Sequence, residues 1–392
     1  MQRKSLQPAF SFRHIKDLYP IFWAKGVEMV KVMERELELG SAAGNRLIRM
    51  DSYASRATLD VIGVAGMDCD FKALQDPGNE LNRQYRLVTR DSPLSSRILF
   101  LIGLLTSCSR LMIKVPTKFN RQVTSASAAI RGIARQMIHR KKERLEAEKN
   151  ASISLEKTER DDVDIVSVAL RSGTFSEGNM TDQMMTFLGA GHETTASSLQ
   201  WAVYYLARYQ DVQTRLRDEV RANLPPLSSS QGITAEAVDS LPFLNAVCNE
   251  VFRYRPPVRS TLRVSVRDTM LVGVPIPKGT TIMLSPEVIN HDKSLWGEDA
   301  NEFNPDRWMG PGRANTGGAT SNYAMLTFLH GPHSCIGQGF TKSELACLLA
   351  TVVGRYHVEA MDSITKDPEM TKSITVKPKD GALAKFTPIE GW

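Results

Sequence analysis

The chain has 392 residues, of which 42% are hydrophobic and 23% are charged, and 49 Lys and Arg against 43 Asp and Glu give a formal net charge of +6. These values are ordinary for a soluble globular chain and exclude the disordered, collagen-like and repeat classes. The densest basic cluster, residues 140–144, is interleaved with acids, so we expect a solvated helix face and no nucleic-acid partner. Five scattered cysteines without CxxC spacing argue against a disulfide scaffold and a zinc finger.

Signals for a membrane span or for secretion are weak. The longest apolar run, residues 98–105, has eight residues, whereas a helix that crosses a bilayer needs about 20. The opening residues, MQRKSL, are not followed by the apolar core of a signal peptide. As written, the sequence predicts neither a spanning helix nor entry into the secretory pathway.

Helical patterns dominate the N-terminal half. Apolar residues recur at helical spacing over 12–67, and residues 121–147 are typical of a long helix with a charged end. Thr181 is predicted to cap a proline-free helix that ends near residue 209 and would be the longest in the protein. The proline- and serine-rich stretch 225–230 is predicted to be a loop.

In the C-terminal half the pattern changes to short elements. A helix over 241–253 is stopped by Pro256 and Pro257, and a final helix is predicted over 337–354. Alternating residues predict strands at 262–266, 270–272, 373–377 and 384–387, with a turn at 275–279 and a glycine-rich loop at 310–321. Because no linker separates two halves, we predict one domain over 1–392, mostly α with small β-sheets.

The most specific motif is FLHGPHSCIG at residues 328–337, with the form F-x-x-G-x-basic-x-C-x-G. Taken alone, Cys335 would most often be a buried small hydrophobe. Here glycines on both sides let the backbone approach a flat ligand, and a helix that starts near Gly337 points N–H groups at the sulfur and favours the thiolate. A thiolate in such a position can bind heme iron and promote O–O cleavage.

This motif resembles the cysteine loop of the cytochrome P450 family, of the eukaryotic microsomal type and, by the texture of the sequence, of its fungal members. The resemblance extends from Arg3 to the end of the chain. It implies a P450-like fold with heme b as cofactor, Cys335 as the axial iron ligand, and Phe328 and Gly337 beside the heme. His333 occupies the place of a propionate-binding base that is usually Arg, so we expect a weaker, pH-dependent contact there.

A second motif, LGAGHETT at residues 188–195, lies midway along the longest predicted helix. Its small residues leave a groove, and Ala190 and Thr194 share a face at i,i+4. One explanation is a helix crossing with small residues at the contact. The family resemblance implies instead an oxygen pocket over the heme at Ala190 and Gly191, with Glu193 and Thr194 as the acid and alcohol pair that delivers protons.

A third pair of motifs concerns the scaffold. Glu250 and Arg253 lie at i,i+3, a spacing that by itself usually marks a surface ion pair worth less than about 1 kcal/mol. Residues 303–308, FNPDRW, resemble the family's meander motif, whose arginine, here Arg307, joins that pair in a buried triad. We therefore assign these three residues to folding and heme retention.

Other positions follow from the resemblance alone. Arg263, ten residues after Arg253, matches an arginine that pairs with a heme propionate, and Arg3 matches the arginine of a W-x-x-x-R motif that contacts the heme. Candidate substrate contacts, for several of which the ordinary alternative is core packing, are Met184, Met185, Phe187, Leu188, Val258, Thr261, Leu262, Ala382 and Leu383.

The start of the chain departs from the family pattern. The tryptophan of the W-x-x-x-R motif would lie two places before Met1, and the family places a membrane anchor, the first strands and the roof of the substrate pocket further upstream. We therefore expect an N-terminally incomplete chain, either a truncated sequence or a short natural product. Membrane association, at the cytosolic face of the endoplasmic reticulum, is expected only for a full-length form.

The function implied by the resemblance is a heme-thiolate monooxygenase. It would take electrons from NADPH–cytochrome P450 reductase and insert one oxygen atom of O2 into a small lipophilic substrate, in secondary metabolism. One alternative is a non-catalytic heme-binding remnant, favoured by the incomplete N-terminus. Another is a heme-thiolate isomerase or dehydratase that needs no external electrons. The Glu193 and Thr194 pair argues against the latter, because proton delivery to dioxygen is needed only where dioxygen is activated.

Overall fold

The computed structural model describes residues 2–41, 46–105, 115–151, 164–361 and 369–392. Helices make up most of it, as predicted. They are α1 Gln2–Leu6, α2 Phe12–Asp17, α3 Tyr19–Ser41, α4 Met50–Val61, α5 Glu80–Thr89, α6 Leu94–Leu105, α7 Lys118–Ala151, α8 Ile165–Arg171, α9 Glu177–Leu206, α10 Gln210–Asn223, α11 Ala235–Asp239, α12 Pro242–Tyr254, α13 Pro286–Ile289, α14 Lys293–Trp296 and α15 Gln338–Arg355. Among the described residues, no helix is long and apolar enough to cross a membrane.

The strands are short and antiparallel. They are β1 Leu47–Arg49, β2 Thr261–Val264, β3 Thr269–Leu271, β4 Val274–Ile276, β5 Thr281–Leu284, β6 Tyr356–Ala360 and β7 Leu383–Pro388. Strand β7 lies between β1 and β6 in one sheet, while β2 pairs with β5 and β3 pairs with β4. In the register of the β2–β5 pair, Arg263 lies opposite Ile282. The predicted mostly helical class with small sheets is confirmed.

Helix α9 lies at the centre of the fold. Its N-cap is Ser176, whose side chain accepts a hydrogen bond from the N–H of Asn179. Every residue from Thr195 to Leu206 is buried, because α4, α7, α12 and α15 all pack against this helix. A helix that is covered all round in this way fixes the positions of the side chains along its middle.

Two predictions about α9 are wrong. The helix begins at Glu177, and Thr181 lies inside its first turns, where its hydroxyl donates to the carbonyl of Glu177 at 2.9 Å. The first turn of the helix is polar, so the apolar spacing that was used to predict where the helix starts is absent there. Nor is α9 the longest helix, since it has 30 residues and α7 has 34.

The strand predicted over 373–377 is also wrong. Apolar and polar residues alternate in this stretch, but its backbone does not pair with a strand of any sheet. The N–H of Val376 donates a hydrogen bond to the carbonyl of Pro257, and the Val376 carbonyl accepts hydrogen bonds from two side chains of α9. The other predicted strands are present with slightly different ends. The predicted turn at 275–279 is shorter, because Pro275 and Ile276 belong to β4.

Candidate functional site

A cavity of about 230 Å³ lies between the middle of α9 and the loop that precedes α15. Thr194, on α9, and Cys335, on this loop, both line the cavity. The rest of its lining is largely apolar and consists of Phe252, Pro257, Val258, Ser260, Thr261, Pro286, Thr327, Phe328, Leu329, His333 and Thr341. Apolar walls with a few polar groups are typical of a pocket for a flat, mostly apolar ligand.

The loop that carries Cys335 is fixed by its own backbone. The N–H of Cys335 donates to the carbonyl of Phe328 at 2.8 Å, and the N–H of Ser334 donates to Gly331. The turn between them requires positive φ angles at Leu329, +56°, and at Gly331, +74°. This turn leaves the Cys335 side chain exposed to the cavity.

Two groups predicted from the sequence act on the cysteine. Although the side chain opens onto the cavity, desolvation by the surrounding protein raises the pKa of the Cys335 thiol, while the N–H of Gly337, which donates to the sulfur, and the charge of Arg3 act in the opposite direction. The Arg3 guanidinium donates to the carbonyl of Ser334 at 2.6 Å. The structure thus brings the N-terminal arginine to the cysteine loop, more than 300 positions away in sequence.

On α9, Thr194 lines the cavity, whereas Ala190, one turn earlier and exposed, is not among the lining residues. The Thr194 hydroxyl donates to the carbonyl of Ala190 at 2.8 Å, and the side chain is half-buried. Gly191 lies on a different face of the helix, where a Cβ at this position would come within 2.9 Å of the Ile62 side chain. Close helix packing therefore accounts for Gly191, as the helix-crossing explanation expects, and its contact with a cofactor stays a prediction.

The side chains of Glu193 and Thr194 point to different sides of the helix, because consecutive residues on a helix are about 100° apart. It is 2% exposed and does not line the Cys335 cavity. Its carboxylate contacts the ammonium of Lys377 and accepts hydrogen bonds from Thr89 at 3.2 Å and from Thr375 at 3.3 Å. Burial opposes ionisation, but the charge of Lys377 and the contact with His192 outweigh it, so the pKa of Glu193 is well below its usual range.

The residues predicted to hold the heme propionates lie at different distances from the cavity. His333 lines it. Arg263 does not; it is half-buried on β2 and donates to Thr261 Oγ1 at 3.0 Å and to the carbonyl of Leu262 at 2.9 Å. Phe328 also lines the cavity, where its ring packs on Phe252 with 5.1 Å between centroids. Their contacts with heme stay predictions.

The candidate substrate contacts lie in different surroundings. Val258 and Thr261 line the cavity. Met184 and Leu188 are buried in the core, as the alternative of core packing expects, and the partly buried Phe187 packs on Phe10. Ala382 is buried as well. The remaining three are Met185, partly buried against the core, Leu262, exposed on β2, and Leu383, half-buried on β7.

The glutamate–arginine triad is present and buried. Glu250 accepts from Arg253 Nε at 2.8 Å and Nη2 at 2.7 Å, and from Arg307 Nε at 3.1 Å. Two partners that the sequence analysis did not identify complete the site: the indole of Trp308 at 2.9 Å and the N–H of Asn304 at 2.8 Å. Both lie within the FNPDRW motif, so the motif itself was the available signal.

The residues of the cavity fit a heme. No cluster of three or more His, Cys, Asp or Glu side chains that could hold a metal ion occurs among the residues that the structure describes. An exposed thiol among apolar walls is the donor that a heme with one protein ligand needs.

Comparison with known proteins agrees with this geometry. A family model described as Cytochrome P450 matches residues 1–386. Cytochrome P450 monooxygenase sphH of Aspergillus fumigatus is 53% identical over 393 residues, which cover 100% of this chain and 70% of that protein. Cytochrome P450 monooxygenase FSL4 of Gibberella zeae is 38% identical over 403 residues, with 100% and 72% covered.

A third relative, cytochrome P450 monooxygenase FUM15 of Gibberella moniliformis, is 36% identical over 433 residues, which cover 99% of this chain and 71% of that protein. The family implies heme iron held by a cysteine thiolate, a reductase as redox partner and O2 as oxidant. With a cysteine and Thr194 in the lining of one largely apolar cavity, and a family match over nearly its whole length, this chain belongs to the cytochrome P450 family and is a heme-thiolate monooxygenase.

Proposed function

We propose that this chain uses heme b, held by Cys335, to hydroxylate or epoxidise a lipophilic intermediate of fungal secondary metabolism. The observation that carries the proposal is the exposed Cys335 thiol, which shares one largely apolar cavity with Thr194. Apolar walls favour a lipophilic substrate, because few polar groups are available there to replace water around a charged one.

The proximal side of the site belongs to the cysteine loop. Heme b, when bound, supplies the redox-active iron for oxygen activation. The N–H of Gly337 donates to the Cys335 sulfur, and the positive charge of Arg3 also favours the thiolate. His333, in the cavity wall, and Arg263, on β2, bind the propionates.

The distal side belongs to α9. The Thr194 hydroxyl donates to Ala190 and so keeps its oxygen lone pairs available at the cavity wall, where it accepts or passes a proton. Glu193, on the adjacent face of the helix, supplies the acid. NADPH–cytochrome P450 reductase is the electron donor, and the endoplasmic reticulum membrane, at its cytosolic face, is the location of the working enzyme.

The test of the ligand is a pair of cysteine variants. In the reduced carbon monoxide complex, the wild-type chain and Cys69→Ser are expected to give the red-shifted Soret band of a thiolate ligand, because Cys69 lies outside the cavity. Cys335→Ser is expected to lose that band. A thiolate band retained in Cys335→Ser, or absent from the wild-type heme complex, would overturn the assignment.

A further inference from the structure

A second cavity, which we name the polar cavity, lies where α4, α5, α9 and the C-terminal residues meet. Its volume is about 210 Å³, and its lining consists of Asp51, Ser55, Arg86, Thr89, Arg90, Asp91, Gln200, Thr371, Lys377, Pro378, Lys379 and Gly381. All of these residues except the proline and the glycine have polar or charged side chains. Among the described residues, none lines both this cavity and the Cys335 cavity, so the two sites are separate.

The lining contains four cations, and three of them pair with an acid. The pairs are Arg86 with Asp51, Lys377 with Glu193 and Lys379 with Glu369. The fourth, Arg90, donates to Gln122, and its guanidinium lies over the Phe119 ring, but it forms no ion pair within the described part of the chain. Its buried Nε has no hydrogen-bond partner there either. Arg90 therefore brings an unbalanced positive charge and an unused donor to the polar cavity.

Gln200 brings an unused acceptor to the same cavity. Its side chain is 1% exposed, and its Nε2 donates to the carbonyl of Ala196 at 3.1 Å. Because a carbonyl only accepts, this bond fixes which end of the amide faces Ala196 and directs Oε1 away from that carbonyl. Oε1 has no partner among the residues that the structure describes. A buried acceptor without a donor costs free energy, so an occupant that donates to Gln200 is favoured.

The hydroxyl groups of the lining also present acceptors. Each of the three donates its hydrogen to a neighbouring residue, Ser55 to Asn82, Thr89 to Tyr85 and Thr371 to Thr375. A hydroxyl has one hydrogen and two lone pairs, so what these groups offer to an occupant is lone pairs. The polar cavity thus requires an occupant that carries negative charge for Arg90 and at least one hydrogen to donate.

A phosphate group that keeps a P–O–H hydrogen meets both requirements. Its charged oxygens accept from a guanidinium in strong, charge-assisted hydrogen bonds, and its P–O–H donates to an amide oxygen. Water could donate to Gln200, but it has no charge to balance Arg90. Sulfate and ionised carboxylates have the charge but no hydrogen on their oxygens. A volume of about 210 Å³ is several times that of one water molecule and admits such a group.

We propose that the polar cavity binds a protonated phosphate group, either inorganic phosphate or the phosphate of a small monoester, with Arg90 and Gln200 as its binding residues. The inference goes beyond the proposed function, because the site needs neither heme nor the oxidised substrate. A bound phosphate ties the end of α5 to the C-terminal residues. These two regions already meet where the N–H of Lys372 donates to Asp91 at 2.6 Å and where Ser373 donates to the carbonyl of Thr89.

The experiment compares three probes by calorimetric titration of the full, heme-loaded chain at pH 6. They are potassium phosphate, potassium sulfate and glycerol phosphate; at this pH about half of a phosphate monoester keeps its P–O–H hydrogen. We expect phosphate to bind at least about tenfold more tightly than sulfate, because sulfate leaves Gln200 Oε1 unpaired. Tighter binding of glycerol phosphate than of inorganic phosphate supports a monoester as the ligand, and the reverse order supports free phosphate.

Two variants separate the charge from the acceptor. Arg90→Leu is expected to weaken phosphate and sulfate alike by about tenfold or more, since both need the guanidinium. Gln200→Leu is expected to weaken phosphate about tenfold without weakening sulfate, because only phosphate donates to the lost oxygen. The matched controls are Arg83→Leu on α5 and Gln183→Leu on α9, which lie outside the polar cavity and leave both affinities unchanged.

Equal affinity of the wild-type chain for phosphate and sulfate would overturn the inference. So would the absence of phosphate binding, which would mean that the cavity holds water only, or an unchanged phosphate affinity in both folded variants. The comparison of anions on the wild-type chain needs no variant, so it decides the question even where Arg90→Leu or Gln200→Leu fails to fold. The carbon monoxide spectrum of the same samples tests the proposed function separately, since Cys335 lies outside the polar cavity.

Discussion

Two glutamates buried beside the same active site have very different surroundings. Glu250 receives five donors, from Arg253, Arg307, Trp308 and the backbone of Asn304. Glu193 receives one ammonium group and two hydroxyls. The side chains of Glu250 and Arg253 are fully buried. The Lys377 side chain, by contrast, is 17% exposed at a polar cavity.

This difference separates a rigid cluster from a looser one. The Arg253 fork is saturated, since it also donates to the carbonyls of Asn290, Ala300 and Glu302. A planar guanidinium that satisfies both carboxylate oxygens is a rigid, highly specific partner, whereas an ammonium is a mobile point charge. We conclude that the triad fixes the loop after α14, and that Glu193 is held by fewer and less directional contacts.

The largest predicted effect comes from removing the Glu250 carboxylate from the buried triad. Glu250→Ala leaves Arg253 and Arg307 buried without their carboxylate, so we expect the free energy of unfolding to fall by about 3–5 kcal/mol, with loss of heme. Urea denaturation and the heme-to-protein ratio measure both. The control is Asp306→Ala, which breaks the exposed Arg215 pair and is expected to cost less than about 1 kcal/mol. Equal losses in the two variants would contradict the scaffold role.

A third glutamate sharpens the comparison because it has no cation at all. Glu344, on α15, is fully buried, and neither carboxyl oxygen has a hydrogen-bond partner among the described residues. Burial raises the pKa of Glu344 well above its usual value, although the Thr195 hydroxyl acts in the opposite direction. At a pH between its unfolded pKa and its raised folded pKa, this carboxyl is therefore protonated in the folded protein and ionised in the unfolded chain.

The sign of the pH dependence follows. Above the unfolded pKa the unfolded chain binds one proton fewer, so Glu344 lowers the free energy of unfolding by up to about 1.4 kcal/mol for each pH unit until the folded pKa is reached. We expect Glu344→Gln, compared with wild type, to become progressively more stable from pH 5 to pH 8. Urea denaturation at each pH measures the difference. A constant difference across this range would mean that Glu344 is ionised in the folded protein.

The sequence predicted the parts of this site that lie close together along the chain. The cysteine loop, the Thr194 helix and the triad were identified because their residues occur within short motifs. Lys377 was missed because it lies 184 positions from Glu193, and no local spacing relates the two. Residues 373–377 were even predicted as a strand, since alternation in the sequence cannot reveal that Ser197 and Trp201 donate to the Val376 carbonyl.

Gly191 illustrates a second limit of the sequence. A run of small residues on a helix is compatible both with a ligand groove and with a close helix contact, and the sequence left both readings open. The structure separates two adjacent residues: Ala190 is exposed, while a Cβ at Gly191 would meet the Ile62 side chain, as a close helix contact requires. Which residue contacts a neighbouring helix depends on where α4 packs, and the local sequence does not give that position.

The smallest predicted effect concerns the loop that joins the triad to the cavity, where Thr327 donates to the carbonyl of Phe252. Leu329 in this loop has a φ of +56°, in the left-handed region that favours glycine. Leu329→Gly and Leu329→Ala both remove the side chain, but only the glycine relieves the backbone strain. We therefore expect the glycine variant to be more stable than the alanine variant by about 0.5–1 kcal/mol.

The matched control pair is at Leu326, which lies in the same loop and is not among the residues with positive φ. There the order should reverse, with Leu326→Ala more stable than Leu326→Gly, because glycine loses more conformational freedom on folding. Thermal unfolding of the four variants measures both differences under one condition. If glycine were the less stable choice at both positions, the left-handed turn at Leu329 would carry no strain, and the cysteine loop would hold its shape without a cost at that residue.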